Sequence, residues 1–439
     1  MKKVLVLGAG LVSKPLVRYL LDHNFHVTIA SRTKSKADKL IECHPNGSTA
    51  AWLVEDTAAL EKLIQNTDLA ISLLPATYHV IVANLCVKYK KQMVTTSYVG
   101  DPMKALDGPA KKAGIMILNE IGLDPGIDHM SAMKIIHNVA SKGGKVTSFM
   151  SYCGGLPAPE ANTNPLGYKF SWSPRAVLLA GRNDARYLKD SKEVYIPGSD
   201  LFTHYWKKSF EGIGEFEAYP NRNSMGYVDQ YGLQGIKTMY RGTFRYPTWC
   251  DTIKKWVDLG LLNLDERTDL KGMTYADLFR KLAGGSCCSD VKQDLAKFWK
   301  TNVNNVAISK LEWLGALSNK PLPFEKGTVL DALGYIMNEK MQYAPGERDM
   351  IILHHEFIAE YPGKKEMITS TLIDFGIPNG DSSMARTVSL PAAIGTRLIL
   401  EGKITATGVH IPVSPDIYNP VLEELERLNI ICKEKSHPM

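Results

Sequence analysis

Lys3-Val-Leu-Val-Leu7 runs straight into Gly8-Ala9-Gly10-Leu11-Val12-Ser13, and the next segment sets Leu16, Val17, Leu20 and Leu21 on one side. The run reads as a buried strand and the spacing as a helix, with a glycine turn between them. Strand, glycine turn and helix in that order open an α/β unit. Gly8 permits the tight turn. Gly10 leaves room for a pyrophosphate to approach the backbone, and the helix amino terminus offers N–H groups and a positive dipole end. Ser13, a small residue, stands where a third glycine is usual, and Pro15 falls in the first helical turn, where proline costs least. Residues Gly8, Ala9, Gly10, Leu11 and Val12 are therefore candidates for holding a dinucleotide; the alternative is a plain glycine turn.

The second strand, 26–30, ends in Ser31-Arg32-Thr33 and not in the acidic residue that would hold a ribose 2′-hydroxyl. A guanidinium flanked by two hydroxyls suits a 2′-phosphate, which favours NADP(H) over NAD(H). A solvated arginine at a strand end is the alternative. Further strands are expected at 51–54, 69–74 and 93–97 with helices between, giving right-handed crossovers and ligand-facing loops at Asp56, Pro75 and Ser97-Tyr98. Thr95 and Thr96 need no more than β-propensity, so Ser97 and Tyr98 are the candidates of that strand end. An apolar run at 115–118 then delivers the chain to Asn119-Glu-Ile-Gly-Leu123-Asp124-Pro125-Gly-Ile-Asp128-His129, where two glycines and a proline stop the strand and a helix follows from 128 to 139. At the carboxyl edge of a parallel sheet, Asp124 and Asp128 would face a cleft; Asp128 could instead cap the helix.

The formal charge of +6 comes without a dense Lys/Arg block, so nucleic acid and membrane partners have no specific support, whereas an anionic small ligand suits the balance. Seven cysteines without a C-x-x-C pair point to reduced thiols and a cytoplasmic location. Met1-Lys2-Lys3 and the apolar run after it imitate a secretory signal, but Gly8 and Gly10 break the run and no small-residue cleavage site follows. No stretch reaches transmembrane length.

The texture then changes. The strand at 145–152 enters Cys153-Gly-Gly-Leu-Pro-Ala-Pro-Glu160, followed by Asn164-Pro-Leu-Gly-Tyr-Lys-Phe-Ser-Trp172-Ser173, Tyr219-Pro-Asn-Arg222-Asn-Ser224 and Arg241-Gly-Thr243-Phe-Arg-Tyr246. Residues 249–262, 274–282, 291–301 and 306–317 carry helical apolar spacing, with Thr274 and Asp277 shaped like a capping box and Trp256, Trp299 and Trp313 as core candidates. Strands resume at 350–356 and 366–373. His354-His355-Glu356 suggests a metal, but adjacent strand histidines point to opposite faces, so no metal site is assigned. A long helix from 383 to 400 is expected to return to the nucleotide domain.

These segments, together with Gly122-Leu-Asp-Pro-Gly-Ile-Asp-His129, closely resemble the saccharopine reductase family, the L-glutamate-forming saccharopine dehydrogenases, over nearly the whole chain. The resemblance implies a Rossmann dinucleotide-binding domain at 1–128 and 384–439, a mixed α+β substrate-binding and dimerisation domain at 129–247 and 344–383, and an all-helical insertion at 248–343. It implies a homodimer and a reversible NADP-dependent reaction in which 2-aminoadipate 6-semialdehyde condenses with L-glutamate and the imine is reduced to saccharopine. Carried over by motif, NADP would meet Gly8 to Val12, Ser31, Arg32, Thr33, Asp56, Pro75, Leu123, Asp124, Pro125, Trp172 and Ser173. The substrate would meet Ser97, Tyr98, Asp124, Cys153, Arg222 and Thr243. Asn223 departs from the aspartate usual in the family, and 181–197 diverges from the fungal members. Animal relatives form half of a bifunctional enzyme and tend to use NAD, so Arg32 carries the cofactor decision.

The residue types agree with such chemistry. Saccharopine carries three carboxylates, for which Arg222 is a bidentate clamp and Ser97, Tyr98 and Thr243 are neutral partners. An iminium carbon is already electron-poor, so hydride addition needs mainly alignment. Carbinolamine dehydration wants a proton donor, with Asp124, Cys153 and Tyr98 as candidates; Cys153 could equally be a small buried residue beside two glycines. A carboxypolyamine-forming imine reductase and a catalytically silent NADP-binding sensor are the competing readings. Arg222 argues against both.

Overall fold

The structure, a computed structural model, describes residues 1–287 and 289–439. The chain packs as two compact units, 1–146 with 359–439, and 147–358. These packing boundaries differ from 128/129 and 383/384, because the Ile127–Ser141 helix and the antiparallel Lys364–Phe375 and Lys433–Pro438 strands belong to the first unit.

The first unit holds a seven-stranded parallel sheet in the order Gly408–His410, Met116–Leu118, Gln92–Thr95, Leu69–Ser72, Lys3–Leu7, His26–Ser31, Gly47–Ala51. The first six strands of the chain thus lie in the doubly-wound order 3-2-1-4-5-6, and the order reverses beside Lys3–Leu7. Burial explains why the central strands read so clearly: every residue of Leu69–Ser72 and all but Lys3 of the first strand are buried. The outermost strand differs from the expected 51–54. It is Gly47–Ala51, half-exposed and made of small and polar residues, so it left no apolar signal. The Trp52 backbone N–H still extends that ladder to Ser31, but its indole closes a turn onto the Asp56 carbonyl at 3.0 Å. The long helix, Ser383–Leu400, packs against Lys14–Asp22, where Arg397 Nε donates to Tyr19 Oη at 2.8 Å.

In the second unit Trp206–Phe210, Gly214–Pro220 and Thr238–Arg245 form consecutive antiparallel pairs. Thr238–Arg245 then runs parallel to Lys145–Pro157, from Thr238 opposite Ser148 to Thr243 opposite Cys153. Residues 181–197 contain a hairpin, Ala185–Lys189 with Lys192–Ile196, whose two turn residues Asp190 and Ser191 both have positive φ, as a type I′ turn requires. The helices expected after 248 are present as Trp249–Asp258, Tyr275–Leu282, Val291–Phe298 and Val306–Leu314, joined by Val329–Lys340. Thr274 with Asp277 and Thr328 with Asp331 both form complete capping boxes. Trp256 is fully buried; Trp299 and Trp313 are half-buried, and the Trp299 indole donates to the Lys255 carbonyl at 3.0 Å.

Candidate active site

At the reversal point of the parallel sheet the Lys3–Leu7 strand ends in Gly8, whose φ of +113° is the region only glycine enters without strain. A Cβ there would also lie 3.1 Å from the Leu73 carbonyl oxygen. Gly10 is the opposite case: a Cβ would meet nothing within 4 Å, so its backbone faces open space. Ser13 earns its place in the third-glycine position by accepting the Gly10 N–H at 3.0 Å, which shapes the turn before the helix begins. This is the cradle a pyrophosphate needs, bare backbone at a helix amino terminus. Across the next strand Arg32 and Thr33 are exposed, Ser31 accepts the Thr33 N–H at 3.3 Å, and among the described residues no carboxylate pairs with Arg32. That guanidinium suits a 2′-phosphate. Asp56 caps the Thr57–Gln65 helix by accepting the Ala59 N–H at 2.9 Å, and Pro75 is exposed at the next strand end. Residues, strand order and open backbone all fit a dinucleotide.

The turn after the Met116–Leu118 strand is the most buried polar segment of the unit. From Ile115 to Met133 every residue is buried except Asp124. Gly126, at φ +148°, could carry no side chain, since a Cβ would fall 2.0 Å from the Gly122 carbonyl oxygen. The Asp124–Pro125 peptide is cis. Asp128 is 2% exposed and accepts the Gly126 N–H at 2.5 Å, so it holds the turn and does not face a cleft. Asp124 does emerge. Its Oδ1 receives the Tyr98 hydroxyl at 2.7 Å, which joins two of the candidate residues. Glu120, buried and at φ +55°, accepts the Val99 N–H at 2.9 Å and contacts His129 Nε2 at 2.8 Å, tying the 97–99 loop to the turn. Ser97 is tied down differently. Its Oγ lies 2.8 Å from Nε2 of the buried His79, whose Nδ1 lies 2.8 Å from Ser72 Oγ, and burial lowers the His79 pKa to about 4. Neither His79 nor Glu120 drew notice in the sequence, since one sits in an apolar helix and the other beside more conspicuous neighbours.

The second unit assembles its own group. Cys153 and Thr243 are opposite each other on parallel strands, and Tyr219 is opposite Thr243 on the other side, so the three side chains share one face. Arg245 lies two residues beyond Thr243 and so on that same face. It is 6% exposed, stacks over Tyr168 and Trp249 at 4.9 and 5.3 Å, donates from Nη1 to the Phe244 carbonyl, and among the described residues leaves Nε without a partner. Tyr168 also receives the Trp172 indole N–H at 3.2 Å, while Ser173 is an exposed helix cap that accepts the Ala176 N–H at 3.4 Å. Arg222 is exposed at the end of the Gly214–Pro220 strand, its φ of +56° held by the Arg186 N–H on its carbonyl at 3.0 Å. Asn223 accepts the Met225 N–H at 2.9 Å, a bond an aspartate would make equally, so this departure from the family leaves the turn intact. Among the described residues no cluster could hold a metal ion, and no helix is long and apolar enough to cross a membrane.

Residues 4–118 match the saccharopine dehydrogenase NADP binding domain and residues 122–431 the saccharopine dehydrogenase C-terminal domain. The chain belongs to the saccharopine dehydrogenase family. It is 42% identical to the saccharopine dehydrogenase [NADP(+), L-glutamate-forming] of Pyricularia oryzae, and 41% identical to that of Saccharomyces cerevisiae, over 99% of each chain. It is 38% identical to the mitochondrial alpha-aminoadipic semialdehyde synthase of Bos taurus, over 99% of this chain and 48% of that one. The apo structure of the L-Glu-forming saccharopine dehydrogenase of Saccharomyces cerevisiae aligns over 100% of both chains with a TM-score of 0.90 at 39% identity. Membership of this family matches the α/β fold and the NADP-binding sheet derived above.

Proposed function

We propose that this chain is a saccharopine reductase: it joins 2-aminoadipate 6-semialdehyde to L-glutamate and reduces the resulting imine to saccharopine, reversibly, in lysine metabolism. The observation that carries the reading is end-to-end likeness, above 40% identity, to fungal enzymes named as L-glutamate-forming and NADP(+)-dependent. NADPH, when bound, supplies the hydride. Gly8, Ala9, Gly10, Leu11 and Val12 would hold its pyrophosphate, with Ser31, Arg32 and Thr33 on the 2′-phosphate; Asp56, Pro75, Leu123, Pro125, Trp172 and Ser173 complete the proposed contacts.

Imine formation expels water from a carbinolamine, and the leaving hydroxyl needs a proton. The Tyr98–Asp124 pair is the best-placed source, since the Tyr98 hydroxyl already donates to a carboxylate that emerges from a buried turn. Cys153 then stays a packing residue beside Thr243. The carboxylates of the substrate call for Arg222 and for Arg245, the buried guanidinium whose Nε has no partner among the described residues, with Ser97 and Thr243 as neutral contacts. A polyamine product would want acid in these places. The reading includes a homodimer in the cytoplasm, where thiols such as those of Cys43, Cys86, Cys250 and Cys432 would stay reduced. The test is NADPH oxidation with the semialdehyde and a panel of amino donors. Turnover with L-glutamate alone is the expected result, and equal turnover with a diamine would overturn the assignment.

A further inference from the structure

His79 belongs to an otherwise apolar helical face, yet it is 3% exposed and bridges two serines, Ser72 at the end of one sheet strand and Ser97 just past the next. A neutral imidazole has one donor and one acceptor nitrogen, and the hydrogen bonds around it decide which is which. Ser72 decides the matter here. Its side chain is fully buried, and among the described residues its Oγ has a single partner, His79 Nδ1. Were Nδ1 to carry the proton, the Ser72 hydroxyl hydrogen would be buried with no acceptor, a cost that folded proteins avoid. With Ser72 donating to Nδ1, every group is satisfied: Nε2 carries the proton and donates to Ser97 Oγ. Ser97 Oγ is then already an acceptor, its own hydrogen has no partner among the described residues, and the residue is half-buried at the ligand edge of the sheet.

We propose that His79 is a positioning residue that biases the polarity of Ser97: with one lone pair taken by the Nε2 proton, the hydroxyl presents its hydrogen toward the ligand, so that this point favours a carboxylate oxygen over an ammonium. The proposal rests on the saccharopine reductase reading for the identity of that carboxylate, but not for the tautomer. Burial keeps the imidazole neutral near pH 7, which maintains the same polarity through the working range.

Two measurements test it. Protein carrying ¹⁵N-histidine, with His79→Gln as the assignment control, should show at pH 7 an unprotonated Nδ1 and a protonated Nε2 for His79. The reverse tautomer, a mixture of both, or an imidazolium would overturn the proposal whatever the enzyme catalyses. Kinetically, Ser97→Ala and His79→Leu should each raise KM for saccharopine about tenfold with NADPH affinity unchanged, and the double variant should lose no more than Ser97→Ala alone. His79→Gln, whose amide nitrogen can stand where Nε2 stands, should recover most of the loss. Additive losses, or equal loss in Gln and Leu variants, would mean that His79 merely packs. A wild-type enzyme that fails to turn over saccharopine would sink the functional reading instead, while the tautomer result would still stand or fall on its own.

Discussion

Asp124 emerges from a segment that is otherwise sealed, and that isolation makes it the sharpest single-residue test. Asp124→Asn removes the carboxylate that receives the Tyr98 hydroxyl without removing side-chain volume. It should lower kcat by about 10²-fold or more and alter the pH profile while NADPH still binds; Tyr98→Phe should lower kcat in the same direction. Weak binding of both ligands with a reduced Tm would show instead that Asp124 only holds the turn. Arg222 separates holding from chemistry. Because it is exposed, its contact with a carboxylate is worth less than a buried one, so Arg222→Ala should raise KM by about 1–2 kcal/mol with kcat little changed. An unchanged KM for every substrate would remove the clamp. At Arg32 the expected outcome is a shift in preference: Arg32→Asp repels the 2′-phosphate and should favour NADH, as titration of cofactor fluorescence would record. Equal weakening toward both cofactors would make Arg32 structural.

At the scale of elements, the helices after Thr248 are expected to contribute stability and no reacting group. The Trp299 indole stitches the Val291–Phe298 helix end to the carbonyl of Lys255 in the Trp249–Asp258 helix. Trp299→Phe removes that hydrogen bond and some packing, for a loss of about 1–2 kcal/mol in denaturant unfolding with hydride transfer intact. A normal Tm with abolished turnover would assign the helices a reacting group. These elements were legible in the sequence because their signals are local. The Thr274 and Asp277 capping box, the glycine turn and the apolar strands of the sheet each lie within a few residues. Gly47–Ala51 was not legible, since a half-exposed outer strand of small residues needs no apolar pattern to pair. The expected strand at 51–54 covers Trp52, Leu53 and Val54, an apolar run that the structure places past the strand end, with the Trp52 indole closing a turn onto Asp56.

For the molecule as a whole, His79 makes stability depend on pH. Burial depresses its folded pKa to about 4 from the ordinary 6.5, so the folded state resists a proton that the unfolded chain binds. The contribution is fully present above about pH 6.5 and is lost progressively as pH falls toward 4, amounting to about 2–3 kcal/mol. Unfolding by urea from pH 7.5 to 4.5 should show His79→Gln losing less stability than wild type across that window; parallel curves would mean that the site is not desolvated. This histidine also marks the divide between what the chain states and what folding decides. The sequence by itself determined the parallel sheet, the dinucleotide cradle and Ser97, Tyr98 and Asp124 as candidates, since strand, glycine turn and helix obey rules of short range, while Cys153, Arg222 and Thr243 became candidates through the family resemblance of their motifs. Only tertiary structure decided their company. Ser72, His79 and Ser97 converge because the Leu69–Ser72 and Gln92–Thr95 strands pair, and Cys153 meets Thr243 because one strand register aligns distant segments. Register is set by burying whole faces at once, a cooperative choice that no window of sequence contains.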